Sequence, residues 1–374
     1  MEEGTVMASV TTHIVLSRPG YAELLQEELA SRWKVPGAVL DRSTVSVPER
    51  LAPPSFRRTV FARQVLPTAL LIDEADLGRA ALHVVRRLEL LAKRPNRQTG
   101  AWTMHVFAVD DDQAVGRAIK LEKLLRLEIK KRLPAFQGRF VPPEDGVVNA
   151  AFLVQVYVQS TDRLWLSVAN FDDRVSPQIA GNLRMRHRDG APSRSARKLE
   201  EAFVEMGREP LPGETAVDLG AAPGGWTHAL ARHGASVTAV DNAELDLPDA
   251  KAFRERVAHL RENGLKYMPH EPVDWLCCDM VVAPRETLRL LRTWLEERPP
   301  QHFVVNLKLP DAKPWPVIAE ALALLESHAG PEWRVLAARH LYHDRREVTL
   351  MGSRAVAPLR TGSGLGPTQS LSEK

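Results

Sequence analysis

Three aspartates stand at the ends of three apolar runs: Asp218 in "TAVDLG", Asp241 in "SVTAVD" and Asp279 in "WLCCDM". Directly after the first run comes "GAAPGG", residues 220 to 225. Glycine at that point lets the backbone turn sharply and lets a ligand reach it with no Cβ in the way. The helix expected from Gly225 presents free N–H groups, which suit a phosphate or a carboxylate. Asp241 lies 21 residues beyond Gly220, where an acid can accept hydrogen bonds from a ribose diol. Three carboxylates around a phosphate would repel it; around a cation they attract. "GAAPGG" is not G-x-G-x-x-G, and no Lys-Ser/Thr follows as in a phosphate-binding P-loop. S-adenosylmethionine carries a ribose, a carboxylate, an ammonium and a sulfonium, and fits this pattern better than a nicotinamide dinucleotide.

The elements that must position these residues follow from the hydrophobic pattern. From residue 199 to 354 the chain alternates strands and helices: "ETAVDLG", "SVTAVD", "DWLCCDM", "FVVNLKL", "WRVLAARHL" and "EVTLMG" read as strands, with helices at Gly225, "ETLRLLRTWLEE" and "PVIAEALALLESH". That order predicts an α/β, Rossmann-like domain with a mostly parallel, doubly wound sheet ending in an antiparallel pair. Its ligand belongs outside the carboxyl ends of the strands, where the three acids fall. Residues 1–172 read as an α+β N-terminal region of two modules, 1–95 and 96–172. In the first, "HIVLSRPGYAELLQEELASRW" predicts a strand, a turn at Pro19-Gly20 and a helix. In the second, a helix over Asp112–Leu133 places Val115, Ala118, Leu121, Leu125 and Ile129 on one face and Lys123, Arg126 and Lys130 on another.

Charge placement says more than total charge. The 374 residues sum to only +3 at pH 7. Yet residues 174–198 hold seven basic side chains (Arg174, Arg184, Arg186, Arg188, Arg194, Arg197 and Lys198) against the single acid Asp189. Two prolines, two glycines and little periodicity make 173–198 a basic linker, and such arginines suit phosphate oxygens. Residues 355–374 are rich in Gly, Ser and Pro and are expected to be a disordered tail. Cys277 and Cys278 are neighbours and cannot staple a fold, which favours a reducing, cytoplasmic setting. The start has no signal-peptide pattern, and no apolar run is long enough to cross a membrane.

The glycine stretch also carries a family likeness. "VDLGAAPGGWT" closely resembles the cofactor loop of the FtsJ-type ribosomal RNA ribose 2′-O-methyltransferases. That family uses a Lys-Asp-Lys-Glu tetrad. The resemblance implies Lys198 from "SRSARKLEEAF", Asp279 from "CCDM", Lys308 from "VVNLKLP" and Glu347 from "DRREVTL". "LYHDRREVTL", with "VLSRPGYAELLQEELA" and "FARQ", is similar to a narrower group, the large-subunit rRNA cytidine 2′-O-methyltransferase family M. In that group an N-terminal region with a THUMP RNA-binding domain precedes the catalytic domain, which implies a THUMP-like module at 96–172. The likeness runs from about residue 12 to 353, dense in the catalytic half and sparse before it. It implies cofactor contacts at Ser195, Gly220, Ala222, Pro223, Gly224, Gly225, Trp226, Asp241, Asn263 and Asp279. Asn263 is a departure, since the narrower group carries aspartate there.

The implied reaction is attack of a ribose 2′-hydroxyl on the sulfonium methyl of S-adenosylmethionine, on 23S ribosomal RNA as partner. That hydroxyl is a poor acid, so a base must take its proton, and Lys308 is the candidate. Burial and a neighbouring positive charge favour neutral Lys308, while Asp279 and Glu347 oppose that, so the sequence leaves its pKa open. No metal is needed. His340 and His343 sit three apart on an expected strand and turn, and read as structural or RNA-contacting rather than as ligands. Such an enzyme is expected to be monomeric and cytoplasmic. Two other readings stand beside it. A nicotinamide-dependent oxidoreductase is disfavoured by the glycine spacing. A non-catalytic RNA-binding or ribosome-assembly factor with a cofactor pocket would be marked by a broken tetrad, and all four residues are present.

Overall fold

The structure, a computed structural model, describes residues 12–93, 100–143, 150–183, 193–248 and 255–354. Arg184, Arg186 and Arg188 of the basic segment, and the tail from residue 355, lie outside the described residues. Two seven-stranded sheets organise the described residues.

The first sheet is built from β1 (Thr12–Leu16), β2 (Ala38–Val39), β3 (Thr44–Val47), β4 (Gln64–Asp73), β5 (Trp102–Phe107), β6 (Phe152–Val158) and β7 (Arg163–Asn170), in the order β2-β3-β1-β4-β7-β6-β5. β4 pairs with β7, so one sheet runs through both N-terminal segments, 1–95 and 96–172. Helix α1 (Ala22–Trp33) follows the Pro19-Gly20 turn, where Gly20 takes φ +88°. Helix α2 (Leu77–Ala92) is capped by Asp76, which accepts a hydrogen bond from the Arg79 N–H at 2.8 Å. Helix α3 (Asp112–Arg132) buries Ala114, Ala118, Leu121, Leu125 and Ile129. Val115 was expected on that face but is 39% exposed. Ala114 lies four residues before Ala118, one full turn away, and takes the inward position instead. Lys123, Arg126 and Lys130 are exposed as expected. A one-turn helix, α4 (Pro134–Gln137), ends this segment.

The second sheet takes β8 (Thr215–Leu219), β9 (Ser236–Val240), β10 (Val257–Leu260), β11 (Trp275–Cys278), β12 (His302–Lys308), β13 (Trp333–Arg339) and β14 (Glu347–Arg354), in the order β10-β9-β8-β11-β12-β14-β13. Strands β10 to β12 in that order are parallel, and β14 runs antiparallel to both β12 and β13. The doubly wound, Rossmann-like expectation is met, including the antiparallel end. The short strand β10 had not been expected. Only four residues long and half-buried, it lacks the apolar run that reveals a central strand. Helices α5 (Ala196–Met206), α6 (Gly225–Arg232), α7 (Pro284–Glu297) and α8 (Trp315–Ser327) flank the sheet. α5 starts inside the segment read as linker, so Lys198 stands in its first turn. Cys277 and Cys278 are free and buried, one in the apolar layer on each face of the sheet. The strand order reverses between the parallel neighbours β8 and β11, which opens a crevice at their carboxyl ends.

The two units share one buried core. Leu25, Leu29 and Phe61 of the N-terminal unit join Trp294, Val305 and Ile318 of the second in a single apolar cluster. Glu28, fully buried on α1, anchors the N-terminal side of that junction. It accepts hydrogen bonds from the Val60 N–H at 2.7 Å, the Phe61 N–H at 3.1 Å and Arg32 at 2.9 Å. Replacing Glu28 with Ala leaves two buried N–H groups unpaired. Urea unfolding of the full chain is expected to show a loss of roughly 2–5 kcal/mol.

Candidate active site

Lys308 closes β12 and Glu347 opens β14, and the two stand opposite each other in the antiparallel register; Asn306 stands opposite Thr349. Side chains alternate along a strand, so these four share one face. Lys308 Nζ donates to Glu347 Oε2 at 2.8 Å and to Asp279 Oδ1. Asn306 Nδ2 donates to the same Asp279 oxygen at 2.9 Å. Asn306 Oδ1 in turn accepts from the Thr349 hydroxyl at 2.9 Å. Lys198, from the first turn of α5, pairs with Glu347 Oε1 and lies 3.7 Å from Asp279 Oδ2. Two ammonium groups and two carboxylates therefore alternate around one ring. The four residues expected to act together are brought together.

The ring sets its own protonation. Burial pulls the Glu347 pKa up, but hydrogen bonds from Lys198 and Lys308 outweigh it and hold the carboxylate near 2. Burial also pulls the Lys308 ammonium down. Asp279 and Glu347 outweigh that too, so Lys308 ends above its ordinary value. The pKa the sequence left open thus moves upward. Below the ring, Asp344 is wholly buried and accepts from the Leu341 N–H at 2.9 Å. Burial raises it to about 8.

The crevice beside the ring begins at the glycine turn. Gly220 has φ +78°, and a Cβ there would come within 2.5 Å of Met280 Cγ. Gly224 has φ +117°, and a Cβ on Gly225 would meet Ser193 Oγ at 2.3 Å and Ser195 Oγ at 2.7 Å. The positive φ at Gly220 and Gly224 favours glycine at each, and the close approach of the two serine hydroxyls leaves little room for a side chain at Gly225. Asp241 sits just past β9, its Oδ2 accepting from the Ala222 N–H at 3.1 Å and its Oδ1 from the Ala243 N–H at 2.9 Å. The carbonyl of Pro223 accepts from the Asp246 N–H at 2.7 Å. Beneath the turn, Asp218 is buried, with Oδ2 on the Thr227 hydroxyl at 2.6 Å and Oδ1 without a protein partner. Burial first, then the charges of Asp279 and Asp241, raise Asp218 to about 7. Asp241 and Asp279 stand beside the bare backbone, and Asp218, expected as a third crevice acid, is instead buried beneath it; two accessible acids still suit a ligand with a ribose and a net positive end.

Two expected contacts look different in place. Trp226 is a core residue, 3% exposed, with its indole N–H on the Ser195 carbonyl at 2.9 Å. Its side chain holds α6 against the start of α5 rather than lining the crevice. Asn263 is exposed, and its Oδ1 caps its own turn through the Leu265 N–H at 2.9 Å. His340 and His343 serve the protein framework. His343 Nδ1 meets Glu201 at 2.8 Å and the His340 ring is buried with Nε2 on the Arg345 carbonyl at 3.1 Å. Sequence reasoning missed Asn306, Thr349 and Asp344 as supports of the ring. The signal was present: Asn306 and Thr349 are polar residues in otherwise apolar strands, each two positions from a tetrad member.

A Rossmann-like sheet with a glycine turn and acids toward the carboxyl ends of three neighbouring strands is the frame of an S-adenosylmethionine-dependent methyltransferase domain, and residues 191–306 match the FtsJ-like methyltransferase family. Curated relatives narrow this. The ribosomal RNA large subunit methyltransferase M of Alkalilimnicola ehrlichii is 45% identical over 193 residues, covering 49% of this chain and 52% of that protein. The protein of the same name from Laribacter hongkongensis is 41% identical over 218 residues, 56% of this chain and 61% of that one. The one from Stenotrophomonas maltophilia is 34% identical over 311 residues, 82% of each chain. The matched stretch thus spans about half of the first relative and most of the third. The chain belongs to the ribosomal RNA large subunit methyltransferase M family.

The crevice yields a direct test. Asp241→Ala removes a carboxylate able to accept from a ribose diol. Titration calorimetry with S-adenosylmethionine is expected to show affinity roughly 10- to 150-fold weaker, the range of one or two charge-assisted hydrogen bonds.

Proposed function

We propose that this chain methylates the ribose 2′-hydroxyl of a cytidine in 23S ribosomal RNA, with Lys308 as general base. The observation that carries the reading is the position of Lys308 at a strand end, between two carboxylates and beside the acid-lined crevice. When bound, S-adenosylmethionine supplies an electrophilic methyl group on its sulfonium. Gly220, Ala222, Pro223, Gly224 and Gly225 offer it backbone, with Ser195 and Asn263 at the rim. Asp241 offers its carboxylate to the ribose. Neutral Lys308 takes the 2′-hydroxyl proton on Nζ as that oxygen becomes a nucleophile. Asp279 and Glu347 then stabilise the ammonium that results. Lys198 keeps Glu347 ionised and in place.

The raised Lys308 pKa has two effects. It makes the neutral amine a stronger base, and it makes that amine scarce at neutral pH. Because a lysine is charged below its pKa, the neutral fraction grows about tenfold for each pH unit climbed toward it. The N-terminal region, with a THUMP-like module at 96–172, is the proposed grip on structured RNA by shape and phosphate. The chain is proposed to work as a monomer in the cytoplasm.

Single-turnover methylation of unmodified large-subunit RNA at saturating cofactor tests the base. Lys308→Ala is expected to lower the transfer rate by roughly 10²–10⁴-fold while cofactor binding persists. Lys308→Arg keeps charge and reach but cannot give up its proton, so it should be as inactive as the alanine variant. Substantial activity in the arginine variant would reduce Lys308 to a positioning residue. In the wild type, the transfer rate is expected to rise close to tenfold per pH unit between about pH 7 and 9. A flat profile would assign the proton elsewhere.

The RNA grip is tested by salt. Arg126 already pairs with Glu122 at 2.7 Å and lies over the Phe140 ring, so Lys123 and Lys130 are the cleaner probes. The double variant Lys123→Gln, Lys130→Gln is expected to flatten the salt dependence of RNA binding by about 0.7–0.9 in log–log slope per lost phosphate contact. An unchanged slope would make α3 a solvated face.

A further inference from the structure

The hairpin loop that delivers Glu347 is held from outside its own domain. Residues 340–346 join β13 to β14, and Glu347 is the first residue beyond them. Four contacts from the N-terminal unit fasten this loop and the strand end before it. The Arg339 guanidinium donates to the Thr59 carbonyl at 2.6 Å, and the His340 N–H donates to the Val60 carbonyl at 2.9 Å. The Tyr21 ring lies against the His340 imidazole, with centroids 4.0 Å apart. The Tyr21 hydroxyl donates to the Arg345 carbonyl at 2.5 Å.

That last contact leads into the active site. The Arg345 carbonyl also accepts from His340 Nε2 at 3.1 Å, so two donors fix one peptide group. On the other side of the same residue, the Arg345 N–H donates to Glu347 Oε1 at 3.1 Å. This is the carboxylate oxygen that pairs with Lys198; its partner oxygen takes Lys308. A loop that swings at Arg345 therefore removes a hydrogen bond from the carboxylate that aligns both lysines. Burial holds His340 neutral, its pKa near 3, so its role here is that of a fixed N–H donor over the working pH range. Tyr21 precedes α1, in a unit whose own sheet is elsewhere, and it touches neither lysine.

We propose that Tyr21 is a positioning residue for transfer. Its hydroxyl latches the Arg345 carbonyl, and through it Glu347, so the N-terminal unit completes the geometry of the lysine ring in addition to any part it plays in holding RNA. The consequence for rate rests on the methyltransferase reading above; the latch itself does not.

Tyr21→Phe is the sharp variant, because it removes one oxygen and leaves the ring against His340. In single turnover with saturating cofactor and unmodified large-subunit RNA, the transfer rate is expected to fall roughly 3- to 10-fold, the span of one neutral hydrogen bond. Dissociation constants for RNA and S-adenosylmethionine should be unchanged. Tyr21→Leu, which also removes the stack, should fall further with the same split. A purely structural role would instead lower the melting temperature and leave the rate per folded molecule alone. Amide hydrogen exchange of the 340–347 segment, followed on the same proteins, is expected to quicken in both variants. Unchanged exchange in Tyr21→Phe overturns the latch whether or not the wild type transfers a methyl group. A loss that appears wholly as weaker RNA binding overturns it too. Quickened exchange in a chain whose wild type methylates no RNA would support the latch and reject the methyltransferase reading.

Discussion

The alternation of Lys198, Asp279, Lys308 and Glu347 constrains everything around it. Withdrawing two ammonium groups and two carboxylates from water costs several kcal/mol per ion unless each finds opposite charge and hydrogen bonds. Here each does, and the demand propagates outward. The β12–β14 register must place residue 308 opposite 347. Asp279 must end the neighbouring strand, and α5 must begin early enough to bring Lys198 across. Asn306 and Thr349, on the same sheet face, spend their polar groups on the ring rather than on water.

The same electrostatics shape the crevice. Asp279 is neutralised by the lysines, whereas Asp218 is buried with one oxygen unpartnered and a raised pKa. Asp241 stays closer to solvent and is held by two backbone N–H groups. The protein therefore sets three acids in three different environments about one glycine turn. A positively charged ligand relieves that arrangement; an added phosphate would aggravate it.

The N-terminal unit is integrated with this chemistry through packing. Leu25, Leu29 and Phe61 enter the core that also buries Val305, the residue paired with Cys278 beside Asp279. Glu28 fixes the backbone at residues 60 and 61, and that backbone in turn meets His340. The two units are thus tied by a chain of backbone hydrogen bonds and ring contacts that ends at Glu347.

Much of this was legible in the sequence because it is local. Apolar runs ending in Asp218, Asp241 and Asp279 located three strands and the crevice. Glycine spacing separated this turn from a dinucleotide or P-loop turn, and the likeness of four short motifs picked out the tetrad. Locality also set the limits. Val115 and Ala114 differ by one position on a helix, and only the packed neighbour decides which faces inward. β10 is only four residues long and lies part-exposed at the sheet edge, too short a run to announce itself. Trp226 reads as part of a cofactor loop until the fold turns its indole into the core. The direction of the Lys308 shift required the distances to Asp279 and Glu347, since burial and ion pairing act in opposite senses and their balance is geometric. The contact from Tyr21 to Arg345 spans 324 positions in the chain. The sequence by itself determined which residue types were available and where strands would end. The tertiary structure alone decided which charges became neighbours, because Coulomb and hydrogen-bond energies depend on distances that only the folded chain sets.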